Sequence, residues 1–168
     1  MNYDTIFLDR DGVINRKRDD DYVKGWDEFE FLPRVPEALQ LLTQAGSRLI
    51  VVTNQRGIAR GWMTEADLHD IHARMLAALA PATIAAIYYC PHDKDQCECR
   101  KPQTGLFRQA QRDFPAIDFA RSIVIGDSLS DMQAGASLGC RNILIGDDAA
   151  YECAASLYEA VVTLLVPA

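Results

Sequence analysis

Five short apolar runs, most of them rich in β-branched residues, recur along the chain with helix-length stretches between them: Thr5–Leu8, Leu49–Thr53, Ile84–Tyr89, Ser122–Ile125 and Asn142–Ile145. Strand and helix in alternation constrain the fold more than any other feature, because parallel strands need crossovers that cover both sheet faces. The expectation is an α/β fold, a three-layer, Rossmann-like open parallel sheet with helices on both faces, in a single domain over 1–168. Val35, Ala38, Leu39, Leu42 and Ala45 recur at helical spacing, and Gly46 follows where a left-handed stop belongs. Thr64-Glu65-Ala66-Asp67 has the form of a capping box, opening a helix whose apolar face is Leu68, Ile71, Met75 and Leu79. Further helices are expected over about Gly105–Asp113 and from about Leu129.

One connection breaks this rhythm. Asn15 to Leu32 follows the first strand, includes Asp19-Asp20-Asp21, and matches neither helix nor strand. So long a connection usually carries function, and it is expected to lie over the carboxyl end of the sheet.

Charge narrows the ligand class. The 168 residues carry 17 Lys+Arg against 24 Asp+Glu, a net charge of −7. That balance provides no broad basic surface for a polynucleotide, although a few local cations can still hold a small anion. No apolar run approaches the roughly 20 residues of a membrane span, and Met1 to Asp4 lack a signal-peptide pattern. The expectation is a cytoplasmic protein with neither membrane nor nucleic-acid partner.

Ligands of open α/β sheets collect at the carboxyl ends of the strands, and here those ends are polar. The first ends in Asp9-Arg10-Asp11-Gly12, where alternation puts Asp9 and Asp11 on one side. Two carboxylates that close need a cation, a shared proton or a functional reason; alone, the same residues also read as an Asp-Gly turn. The second strand ends in Thr53-Asn54-Gln55, three hydrogen-bonding side chains that are candidates for binding or for capping the next loop. The fourth ends in Gly126-Asp127-Ser128-Leu129-Ser130-Asp131. Asp127 is a candidate third carboxylate, while Ser128, Ser130 and Asp131 suit a helix cap and its dipole. Lys101 arrives from a separate loop. Together, carboxylates suit a hard cation such as magnesium, and Lys, Thr and Asn suit the oxygens of a phosphate.

A second cluster lies in Cys90-Pro91-His92-Asp93-Lys94-Asp95-Gln96-Cys97-Glu98-Cys99. Cys90, His92, Cys97 and Cys99 offer four soft or borderline ligands in ten residues, which suits a closed tetrahedral zinc site of structural kind. Zinc would pin the loop at about 90–102 and fix Arg100 and Lys101 beside the phosphate site. His69 and His72 are expected at the surface or its boundary, and Cys140 and Cys153 as small apolar fillers.

With these residues in place, the chain resembles the haloacid dehalogenase superfamily of phosphatases. DRDGV resembles its first motif, VVTNQ its second, Lys101 its third and IGDSLSDM its fourth, so the match covers nearly the whole length. The resemblance implies a phosphatase without a large cap domain. It assigns Asp9 as nucleophile, Asp11 as acid and base, and Thr53 and Lys101 as holders of the phosphoryl oxygens. Magnesium would lie on Asp9, the Asp11 carbonyl and Asp127. Gly57-Ile58-Ala59-Arg60-Gly61 and the zinc loop place the chain near the subgroup acting on the C7 phosphate of a heptose 1,7-bisphosphate. Histidinol phosphate is the alternative substrate, kept open by the Asp19–Asp21 cluster. Outside enzymes, the alternatives are a receiver-like domain or a silent phosphate-binding domain. Arg60 and Arg100 are expected on the second phosphate, Asn54 and Gln55 on substrate, and Asp21 and Tyr22 on sugar hydroxyls. A monomer acting on a small sugar phosphate is expected. Ser128 stands where relatives commonly carry Lys.

Overall fold

A computed structural model describes residues 3–166. Six parallel strands form one sheet: β1 (Thr5–Leu8), β2 (Arg48–Asn54), β3 (Ala86–Cys90), β4 (Ser122–Gly126), β5 (Arg141–Ile145) and β6 (Cys153–Ala154). Their order is β3-β2-β1-β4-β5-β6. The chain therefore builds outward from β1 through β2 and β3, then returns to the other side of β1 with β4. That reversal is the switch point where such sheets leave a crevice at the carboxyl ends.

Five helices cover the sheet: α1 (Val35–Gln44), α2 (Glu65–Leu79), α3 (Gly105–Asp113), α4 (Leu129–Leu138) and α5 (Leu157–Leu165). The period-2 alternation of a strand divides the core between two faces. Ile6 and Leu8 of β1 point into one cluster with Val35, Leu39 and Leu42 of α1, Met75 of α2, and Leu157 and Val161 of α5. Phe7, between them, points into the other with Leu106, Phe107 and Ala110 of α3 and Met132 of α4, its ring 5.0 Å from that of Phe107.

The local signals behave as their chemistry requires. Thr64 and Asp67 form the reciprocal capping box at the start of α2, and Gly46 follows α1 with φ +79°. β3 begins two residues later than expected, at Ala86. α5 and the two-residue edge strand β6 are additions. Leu157–Leu165 is a mostly apolar stretch, interrupted by Glu159 and Thr163, whose helix rests on packing against α1, together with the Ser156 cap accepting from Glu159 N–H. The 15–32 connection holds only a short 3-10 turn at Trp26–Glu28 and two isolated bridges, Asp11 with Asn15 and Asn15 with Phe31. It is folded back over the strand ends as expected.

Candidate active site

β1 is flanked in register by β2 and β4, with Leu8 beside Val51 and Ile125. Asp9 therefore leaves the middle of the sheet, and Asp127 leaves the adjacent strand one residue beyond β4. Gly12 makes their approach possible. It sits at φ +90°, and a Cβ there would strike the Asp127 carboxylate. A cleft of about 470 Å³ opens above these residues.

Three carboxylates meet at its floor: Asp9, Asp127 and Asp131, with oxygens within 4.8 Å of one another. Asp131 joins this cluster from a position whose sequence pattern suits a helix cap. Its Oδ2 does cap α4, accepting from Ser128 N–H at 3.2 Å and Ser128 Oγ at 2.7 Å, and its Oδ1 lies 2.6 Å from Lys101 Nζ. Lys101 is buried with its ammonium fully engaged, the other contacts being Asp9 Oδ1 at 2.9 Å and the Val52 carbonyl at 2.6 Å. Burial opposes its charge, but Asp131 and Asp9 more than offset that, and its pKa is raised. Burial pushes the Asp9 carboxyl up to about 7; Lys101 opposes the shift, while Asp131, Asp127 and Asp11 add to it. Converging anions and a buried, unpartnered Asp127 Oδ1 make a donor set that fits a hard divalent cation.

The Asp11 carboxylate does not join that trio. The resemblance puts only its backbone carbonyl on the ion, and its side chain is held by Arg10 Nη2 at 2.9 and 3.0 Å, Asn15 Nδ2 at 2.9 Å and Gln55 Nε2 at 2.8 Å. Burial alone would raise its pKa, yet Arg10 and these donors hold it below the ordinary carboxylate value. Arg10 rather than metal thus neutralises half of the acid pair.

The end of β2 divides its work differently from expectation. Gln55 is fully buried and absent from the cleft wall; its amide bridges Asp11 and, at 3.0 Å, Thr53 Oγ1. The expected substrate contact is therefore a brace. Thr53 is also buried, its hydroxyl beneath the cleft floor beside Gln55. Asn54 reaches the cleft and grips the Lys101 backbone, accepting from its N–H at 3.0 Å and donating to its carbonyl at 3.3 Å.

Arg60, Arg100, Asp21 and Tyr22 all line the cleft as expected, joined by Lys17, Arg18 and Arg56, which the sequence reading did not single out. Lys17 Nζ lies 2.6 Å from Asp127 Oδ2, so a cation reaches this acid from the 15–32 connection although Ser128 replaces the usual Lys. Asp21 is paired with Lys24 at 2.6 Å and Arg18 at 3.5 Å. Asp93 of the cysteine loop pairs with Arg56 and Arg60. Local runs such as Arg16-Lys17-Arg18 carried the only signal for these cations.

The four side chains of the second cluster come together. Cys99 Sγ lies 3.1 Å from Cys90 Sγ, 3.2 Å from Cys97 Sγ and 3.2 Å from His92 Nδ1, and Cys90 Sγ is 3.5 Å from Cys97 Sγ. All are free thiols. Ligands about 2.0 to 2.3 Å from one tetrahedral ion stand roughly 3.5 Å apart, so the cage fits a metal. His72 is the misplaced expectation: it is buried, not superficial.

The family model for polynucleotide kinase 3 phosphatase matches residues 4–139. D-glycero-beta-D-manno-heptose-1,7-bisphosphate 7-phosphatase of Pseudomonas aeruginosa is 40% identical over 148 residues, covering 86% of this chain and 82% of its own. The chain belongs to the haloacid dehalogenase superfamily of phosphatases. Among other superfamily members, D-glycero-alpha-D-manno-heptose-1,7-bisphosphate 7-phosphatase of Mycobacterium bovis is 42% identical over 149 residues, covering 84% of this chain and 78% of its own. The crystal structure of D,D-heptose 1,7-bisphosphate phosphatase from B. bronchiseptica, complexed with magnesium and phosphate, superposes with a TM-score of 0.88 at 37% identity. That alignment covers 96% of this chain and 98% of the other. No helix among the described residues is long and apolar enough to cross a membrane.

Proposed function

We propose that this chain is a single-domain, magnesium-dependent phosphatase that removes the C7 phosphate of D-glycero-D-manno-heptose 1,7-bisphosphate. The observation that carries the reading is Asp9 at the switch point, faced by a buried Lys101 and by further carboxylates, under a cleft rimmed with arginines. Asp9 attacks phosphorus, forming an aspartyl-phosphate as the P–O bond to the sugar breaks. Asp11 gives its proton to the departing alkoxide oxygen, and the approaching phosphate dianion favours the protonated carboxyl for this step. Asp11 then takes a proton from the water that displaces Asp9 from phosphorus. Lys101 holds phosphoryl oxygens, anchored by Asp131, and Thr53 supports them from below through its hydroxyl. Asp9, Asp127 and the Asp11 carbonyl would hold magnesium, which would neutralise charge between carboxylate and phosphate. Cys90, His92, Cys97 and Cys99 would hold zinc, which would fix the loop that presents Arg100 and Lys101.

The rim separates the two substrates. A bisphosphate brings a second dianion, for which Arg100 with its buried, unpartnered Nη1 offers a guanidinium fork, beside Arg56 and Arg60, two cations that share the single acid Asp93. Histidinol phosphate brings an ammonium, but Asp21, its natural partner, is already neutralised by Lys24 and Arg18. Tyr22 and Asp21 are left for sugar hydroxyls. The test is kcat/KM with magnesium on heptose 1,7-bisphosphate against histidinol phosphate. At least a tenfold preference for the bisphosphate is expected, about 1.4 kcal/mol in barrier; equal or reversed preference overturns the assignment. Relatives of similar identity carry opposite anomers in their names, so both anomers belong in the assay.

A further inference from the structure

Arg10 is the largest side chain with essentially no exposure in the molecule. A buried guanidinium must be fully oriented by partners, since each unmet N–H carries a desolvation penalty. One nitrogen, Nη2, spans both Asp11 oxygens; the other, Nη1, lies 3.1 Å from His72 Nε2 on α2. Arg10 Nε has no partner among the described residues, so outside Asp11 the guanidinium has His72 alone to fix its plane. A guanidinium has no lone pair; His72 Nε2 is therefore the acceptor, and the ring is neutral with its proton on Nδ1. His72 does not line the cleft and lies outside the carboxylate trio.

We propose that His72 is a positioning residue for proton transfer, acting through Arg10 to aim the Asp11 carboxyl at the leaving-group oxygen. The contact sits 62 residues away in sequence and across the layer between α2 and β1. It sets direction rather than binding: the phosphate holders and the metal trio do not touch it. Loss of the Nε2 acceptor frees the guanidinium to turn, which loosens Asp11 against its remaining holders Asn15 and Gln55, and only steps that need a well-aimed proton slow down.

This inference rests on the reading of Asp11 as general acid, and leaving-group dependence separates the two. Heptose 1,7-bisphosphate leaves as a poor alkoxide that needs a proton, whereas p-nitrophenyl phosphate leaves as a stable phenolate that does not. kcat/KM reports events up to departure of the leaving group. Gln in place of His72 presents its amide oxygen near the Nε2 position; Asn presents it near Nδ1, short of Arg10. His72→Asn is expected to lower kcat/KM on the bisphosphate about tenfold, through kcat with KM within twofold, while p-nitrophenyl phosphate changes less than twofold. His72→Gln should restore most of the loss. Parallel losses on both substrates, no loss, or failure of Gln to rescue each overturns the role of His72. Asp11→Asn is the control: a loss confined to the bisphosphate upholds the acid, and equal losses reject it whatever His72 does. Should His72→Asn not fold, His72→Leu removes the same acceptor and is read the same way.

Discussion

Asp9 and Asp11 lie two residues apart in opposite surroundings. Burial and its acidic neighbours push Asp9 toward neutrality, whereas Arg10 and two amides keep Asp11 charged. A cation among Asp9, Asp127 and Asp131 would favour the ionised form of Asp9, so in the proposed mechanism metal site and nucleophile are one device. Asp9→Asn is expected to reduce magnesium-dependent phosphate release at least a thousandfold without altering the melting temperature downward, since it removes a repelled charge. Arg100→Ala should cut kcat/KM on the bisphosphate more than on a simple monophosphate; equal losses on both would place Arg100 on the reacting phosphate. At this scale the sequence was legible where chemistry follows spacing. Asp9-x-Asp11 and Asp127 after an apolar run could be read directly. Asp131 could not, because an acid in the first turn of a helix has an ordinary dipole role, and its contact with Lys101 spans 30 residues. Arg10 with His72 has no local pattern at all, and Gln55 looked like a free donor because burial beneath a cleft cannot be seen in a string of letters.

The cysteine loop and β2 act together as elements. Asn54, the last residue of β2, pins the Lys101 backbone by two hydrogen bonds, and Asp93 ties the same loop to Arg56 and Arg60. Metal in the cage would therefore determine where both Lys101 and the rim arginines stand. Cys97→Ser is expected to abolish stoichiometric zinc, measured by elemental analysis, and to lower both the melting temperature and kcat on the bisphosphate. Unchanged kcat in a zinc-free variant would show that the loop holds Lys101 without metal. The four ligands were readable because they lie within ten residues. α5 and β6 were not, since a two-residue edge strand has no period, and an apolar stretch near the end of a chain gains its helical character from the surface of α1.

For the whole molecule, the two shifted groups beneath the cleft pull stability in opposite directions with pH. His72 is pushed down to about 3 by burial and then by Arg10. The unfolded chain, with an ordinary histidine near 6.5, binds the proton more readily between those values, so His72 stabilises the fold above about pH 6.5 and this contribution is lost as pH falls toward 3. Asp9, raised to about 7, is the reverse: its folded form binds the proton more readily, so its burial costs stability as pH rises from 3.8 to 7. In metal-free protein, the melting temperature of His72→Gln should fall less between pH 7 and pH 5 than that of the parent, because Asp9 is common to both. Identical slopes would mean His72 titrates normally. The fold itself was legible because its core is segregated by simple alternation, Ile6 and Leu8 to one layer and Phe7 to the other.

Both rim segments, 15–32 and 91–100, lie between a strand and the α-helix that follows it, outside the hydrogen-bonded ladder that sets strand register. Their inner residues are tied to the floor, Asn15 to Asp11 and Lys17 to Asp127, with the cysteine cage beside Lys101, but the outer residues 18–22 and 93–96 could be exchanged for counterparts of different length with the ladder left in place. The catalytic floor and the recognition rim can thus diversify on separate schedules, and transplanted rims offer a direct route to phosphatases with new appetites.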